Sequence, residues 1–197
     1  MEERDYERFQ MLLYACNSKT PIHISTLGNS HQGPALMKVL EQERGEPLVD
    51  IGAYALMPNH PHLLLREIAE GGITSFMQKI GTAYTMFFNK KYNRTGALFS
   101  GRFKAKHVAT NEYFGRVVNY IHGNPAELFE PRVKEDIIRD EQALRENLLA
   151  YRFSSLQDYR ESRPETVIVA VAAVQDIVGT NPSFDTILDD IKTFYQE

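Results

Sequence analysis

The stretch Ala53-Tyr-Ala-Leu-Met-Pro-Asn-His-Pro-His-Leu-Leu-Leu65 constrains this chain more than any other. It holds two apolar runs parted by Pro58-Asn59, a dipeptide that favours a turn. Residues 48–57 and 60–66 therefore read as two β-strands, and so short a connection makes them antiparallel neighbours. His60 and His62 fall one residue apart in the second strand. Alternate strand residues point to one face, so both imidazoles project to one side and Pro61 to the other. Such a pair is a two-ligand metal chelate on a rigid element; a solvated or internally satisfied pair has the same spacing.

Helical periodicity flanks this hairpin. Residues 5–17 read as an amphipathic helix with Phe9, Leu12, Leu13 and Cys16 on one side. Residues 20–26 read as a short strand, 28–34 as a loop, and 35–44 as a helix ended by Gly45. Gly71-Gly72 opens a turn before a long amphipathic helix over 73–89, with Phe76, Ile80 and Tyr84 at helical spacing. A basic loop follows at 90–96, then an expected strand over 97–108 with a bend at Gly101. Thr110 or Asn111 caps a helix running from Glu112 to about His122, which Gly123-Asn124-Pro125 stops.

After Pro125 the character changes. Residues 127–197 carry 15 acidic and 8 basic side chains and read as helices, the clearest at 154–160, 167–178 and 184–195. The segment 167–178 is apolar nearly all round, which predicts burial. The organisation expected is a domain over 1–126 and a helical C-terminal extension over 127–197. The fold class expected is α+β, with an antiparallel sheet because the strands come as a hairpin rather than as βαβ units.

The net charge of −4 conceals a segregation. Residues 71–111 hold seven Lys and Arg and no Asp or Glu, whereas the remainder carries 15 basic against 26 acidic side chains. An acid-free window in so acidic a chain predicts a surface that faces a polyanion. The same window holds Tyr84, Phe87, Phe88, Tyr92, Phe99 and Phe103, and interleaved rings and cations suit single-stranded nucleic acid. Lys90, Lys91, Arg94, Arg102, Lys104 and Lys106 are the candidate contacts. On the expected strand Arg102, Lys104 and Lys106 share one face, placed for backbone phosphates. No apolar run is long enough to span a membrane, no signal-peptide core follows Met1, and the single Cys16 precludes an intrachain disulfide. A cytoplasmic protein without membrane partners is expected.

The third element is Tyr120-Ile-His-Gly-Asn124. Residues four apart on a helix face the same way, so Tyr120 and Asn124 can approach one site; taken alone, they read equally as a core tyrosine and a helix stop. With 53–65, with Phe-Asn-Lys-Lys-Tyr-Asn-Arg-Thr-Gly-Ala-Leu-Phe-Ser-Gly-Arg-Phe-Lys-Ala-Lys (88–106) and with Tyr-Ile-His-Gly-Asn-Pro (120–125), the chain resembles the single-tyrosine HUH transposases. The likeness is to their REP-associated tyrosine transposase branch. Tyr-Arg-Phe-Ser-Ser-Leu-Gln-Asp-Tyr (151–159) looks like a degenerate form of a later family region, and the resemblance spans about residues 5–160.

The resemblance implies a ferredoxin-like HUH nuclease fold with helices on one sheet face. It implies His60, His62 and Asn124 as ligands of Mg²⁺ or Mn²⁺, and Tyr120 as a nucleophile that forms a 5′-phosphotyrosine on single-stranded hairpin DNA. The chain also departs from the family. The strand of type Tyr-His that usually precedes the helix at Asp5 is not seen, so the strand over 60–65 is expected to be an edge or to be completed by a second copy in a homodimer. Pro61 stands where an aliphatic residue is usual, and Gly123 and Ala126-Glu127 differ from the usual run. A non-catalytic binder of structured single-stranded DNA or RNA is the alternative reading.

Overall fold

The computed structural model describes residues 2–20, 22–24, 27 and 36–194. The chain divides into two compact units: Met1–Asp50 with Leu65–Lys106, and Ile51–Leu64 with His107–Glu197. The fold is α+β, with a two-stranded antiparallel sheet of β1 (Val49–Leu56) and β2 (Pro61–Glu67). The turn closes on a hydrogen bond from the Met57 N–H to the His60 carbonyl, 2.9 Å. β1 is buried along its length except at Asp50, as its unbroken apolar run requires. β2 is largely half-exposed and pairs only with β1 among the described residues, so it is an edge strand, as expected. Pro61 sits at its first position, where a missing N–H costs least.

In the first unit, α1 (Glu3–Ala15) packs on α2 (Leu36–Leu40) and on α3 (Gly72–Lys91). The buried side chains are Phe9, Leu12 and Leu13 of α1, Val39 of α2, and Phe76, Ile80 and Tyr84 of α3. Asn17 closes the start of β1: its Oδ1 accepts the Leu48 and Val49 N–H groups at 2.9 and 3.0 Å, and its amide donates to the Val49 carbonyl at 2.8 Å. Gly72 is required where α3 begins, because a Cβ there would lie 2.3 Å from the Leu48 carbonyl oxygen.

Three expectations change in this unit. The helix expected over 35–44 is shorter, Leu36–Leu40. Ile22, His23 and Ile24 form no strand; Pro21, Ser25, Thr26 and the loop 28–34 lie outside the described residues. The strand expected over 97–108 is irregular, and residues 99–107 are exposed throughout. A strand needs a ladder partner, and no described strand offers one to this segment. The shared strand face of Arg102, Lys104 and Lys106 therefore does not form.

In the second unit, α4 (Asn111–Gly123) is capped by Thr110, whose hydroxyl accepts the Tyr113 N–H at 3.2 Å. It packs against α7 (Val171–Val178) and α8 (Phe184–Phe194). With α5 (Ala126–Phe129) and α6 (Glu141–Ala150), α8 shares a core that includes Val133, Leu144, Leu148, Leu156, Ile187 and Ile191. Backbone groups of β1 that β2 does not use are met by irregular chain. Ala170 N–H donates to Ile51 O at 2.9 Å and Leu56 N–H donates to Phe153 O at 2.9 Å. A single antiparallel bridge joins Ala55 to Ser154. The Tyr159 hydroxyl bonds the Gly52 carbonyl.

The same demand reshapes the segment expected as one helix over 167–178. Residues Pro164–Ile168 form a 3₁₀ turn, and Ala170 leaves helical geometry to reach Ile51 before α7 starts at Val171. Burial all round does not occur: Val167 is 49% exposed, while Ile168, Val169 and Val174 are buried. The helix expected over 154–160 is likewise a 3₁₀ turn, Ser155–Tyr159. No helix among the described residues is long and apolar enough to cross a membrane.

Candidate metal and nucleophile site

The hairpin turn and the first residues of β2 carry His60 and His62 on one face, and their rings meet edge to face with centroids 4.6 Å apart. Their Nε2 atoms lie 2.9 Å apart. Two ligands of an octahedral ion at about 2.1 Å and right angles are about 3.0 Å from each other, so the pair has the spacing of two donors to one cation. Asn59 Oδ1 lies 2.6 Å from His60 Nδ1. That contact gives His60 the N–H···O partner that orients a ligating imidazole and leaves Nε2 as its donor atom. Burial, and then the neighbouring His60, push the His62 pKa down to about 4. The ring is therefore neutral at neutral pH, the form a metal ligand needs.

Helix α4 brings Tyr120 to the same place: its ring lies edge-on to His62, with centroids 5.8 Å apart. Asn124 caps the C-terminus of α4, one turn beyond Tyr120, and is buried. Its amide nitrogen donates to the Tyr120 carbonyl at 2.7 Å. No group of three His, Cys, Asp or Glu suited to a metal exists among the described residues. An amide oxygen added to the two imidazoles would leave positions open for phosphate and water, and such a set would suit Mn²⁺ better than Mg²⁺.

The candidate cations belong to the first unit. Lys90, Arg94, Arg102, Lys104 and Lys106 are exposed, and the Arg94 guanidinium lies over the Phe88 ring at 5.7 Å. Lys91 is drawn into the first unit, where its Nζ bonds the fully buried Asp5 at 2.6 Å and Glu2 at 2.8 Å. Phe99 and Phe103 are among the exposed large apolar side chains. Cys16 ends α1, and burial pushes its thiol up to about 11, which suits a structural residue rather than a nucleophile.

Two further residues shape the tyrosine helix. His122 is fully buried, and its Nε2 lies 2.7 Å from Ser155 Oγ. That hydroxyl also accepts the Tyr54 N–H of β1 at 2.9 Å, so the node ties α4 to the hairpin. Burial pushes the His122 pKa down to about 3. Phe194 of α8 stacks on Tyr120, with centroids 4.4 Å apart and planes inclined by 24°. His122 carries a signal of sorts, as a titratable residue on the apolar side of an amphipathic helix. Phe194 carries none, being more than seventy residues from Tyr120.

The family model for transposases of the IS200-like type matches residues 27–124, close to half of the chain. His60, His62, Tyr120, Asn124 and the acid-free window all fall inside that match. No curated protein and no solved structure gives a significant match. The motifs and this match support an IS200-like, single-tyrosine HUH transposase-like family for the chain, and with it transposase-related action on DNA, in general terms that of a DNA-cleaving enzyme.

Proposed function

We propose that the protein nicks and rejoins single-stranded DNA beside a hairpin, with Tyr120 as the nucleophile. The observation that carries this reading is the convergence of the two histidine Nε2 atoms, 2.9 Å apart, beside the Tyr120 ring. The phenolic oxygen forms a bond to phosphorus, the bond from phosphorus to the 3′ oxygen breaks, and the phenolic proton ends on the departing oxygen. The products are a 5′-phosphotyrosine and a free 3′-OH; attack by a 3′-OH on the phosphotyrosine rejoins strands and releases the phenol. A phenol, with a pKa near 10, is a tolerable leaving group, which makes the intermediate reversible.

His60, His62 and the Oδ1 of Asn124 would hold Mg²⁺ or Mn²⁺, which supplies Lewis-acid polarisation of the scissile phosphate. Lys90, Arg94, Arg102, Lys104 and Lys106 serve the backbone phosphates. A cytoplasmic location suits this substrate, and a second copy pairing with the outer edge of β2 would complete the sheet. The test is incubation with hairpin-bearing single-stranded oligonucleotides and Mn²⁺. A covalent protein–DNA adduct is expected from the parent chain and none from Tyr120→Phe. No adduct with any hairpin pool would rule the reading out.

The outer edge of β2, unpaired among the described residues, favours a second reading, a non-catalytic binder of structured single-stranded DNA or RNA. It predicts salt-sensitive hairpin binding that Tyr120→Phe leaves unchanged, with no adduct from either protein.

A further inference from the structure

The C-terminal helices have no part in the reaction as described so far, yet α8 delivers a side chain to its centre. Phe194 lies nearly parallel to Tyr120, 4.4 Å between centroids. It is held there by several contacts to α4. The Arg116 guanidinium lies over the outer Phe194 ring at 5.2 Å, and Asn119 donates to Asp190 at 2.7 Å. Gly123 is what lets α8 come this close: a Cβ there would lie 2.3 Å from Ile191 Cδ1. Glycine is costly inside a helix, so its presence at the end of α4 fits a demand from packing.

We infer that Phe194 is a positioning residue for Tyr120, an inference that rests on the reading of Tyr120 as the nucleophile. A stacked ring lies over the face of the phenol and leaves the edge that carries the hydroxyl uncovered by Phe194. With Phe194 along one face and His62 edge-on at 5.8 Å, the phenol is held in one orientation before DNA arrives. A nucleophile fixed in a near-attack geometry does not have to be ordered on the way to the transition state. The extension thus contributes to the active site without supplying a reacting atom.

The experiment uses the full chain labelled with 3-fluorotyrosine, with the Tyr120 ¹⁹F resonance assigned through Tyr120→Phe. Phe194→Leu removes the stacked ring, Phe194→Trp restores one, and Gly123→Ala displaces α8 without touching either ring. The Tyr120 resonance is expected to move in Phe194→Leu and Gly123→Ala, because the ring current above the phenol is lost or displaced. The single-turnover rate of adduct formation is expected to fall about 10-fold in Phe194→Leu and to recover most of the way in Phe194→Trp. Affinities for Mn²⁺ and for the oligonucleotide are expected to stay unchanged in both, which separates positioning from a general loss of structure. A resonance that does not move in Phe194→Leu overturns the inference whatever the activity. So does an adduct rate that is unchanged or faster in that variant while the parent chain forms adduct. If the parent chain forms no adduct, the nucleophile reading itself fails and the positioning role goes with it, an outcome distinct from both.

Discussion

At the residue scale the site is built from side chains whose partners fix both their orientation and their protonation. Asn59 orients His60 through a 2.6 Å contact, and burial together with His60 keeps His62 neutral. Removing an outer-shell partner commonly weakens metal binding by about 10- to 100-fold. Asn59→Ala is therefore expected to lower Mn²⁺ affinity by about 10-fold, with His62→Ala abolishing it, as read from the free-Mn²⁺ electron paramagnetic resonance signal. Undiminished affinity in Asn59→Ala would show that the turn alone orients the ring.

His122 gives a second expectation at this scale. Its folded pKa lies near 3 and its ordinary value is 6.5. As pH falls below 6.5 the unfolded chain takes up a proton that the folded chain refuses, so stability is full above 6.5 and is lost progressively towards pH 3. The slope from one such group is about 1.4 kcal/mol per pH unit. Urea unfolding between pH 7.5 and 4.5 should show this loss, and His122→Gln should show a flatter dependence. Parallel curves for the two proteins would remove His122 as the cause.

At the scale of elements, local signals succeeded where an element is set by its own sequence. The hairpin follows from two apolar runs and a turn dipeptide. Helix α4 follows from a capping Thr110 and a Gly-Asn-Pro stop, and α3 from its apolar spacing. The segment 97–108 has the residues of a strand but not the structure of one, because a strand is completed only by hydrogen bonds to a neighbour that the sequence of the segment does not contain. The cations there are presented by exposed irregular chain, which suits contact with a flexible single strand. Each phosphate contact on single-stranded nucleic acid adds about 0.7 to the slope of log affinity against log salt. The double variant Arg102→Gln/Lys104→Gln is expected to lower that slope by about 1.4 for a hairpin oligonucleotide, measured by fluorescence anisotropy over a KCl series. Lys91→Gln should leave the slope nearly unchanged, because Lys91 is engaged by Asp5 and Glu2. An unchanged slope in the double variant would place the phosphate track elsewhere.

At the scale of the whole molecule, the sequence by itself determined the fold class, the hairpin with its paired histidines, the tyrosine helix and the family. These rest on short-range patterns: alternation in strands, the helical repeat, turn and cap residues, and three motifs in order. Tertiary structure alone decided which groups close the backbone of β1. Asn17 serves its start, while Phe153 and Ala170 serve its later residues. Those partners are far apart in the chain, and the need to satisfy buried N–H and C=O groups is met by whatever the packing of the helices brings beside β1. The same demand interrupts the apolar run at Ala170. Tertiary structure alone also set the distance between the imidazoles, paired Lys91 with Asp5 and Glu2 and brought Phe194 over Tyr120. Each of these depends on two segments meeting in space. The glycine that permits the last of them, Gly123, reads in the sequence as part of a helix stop; its use in packing became apparent once Ile191 was found where a Cβ would have been.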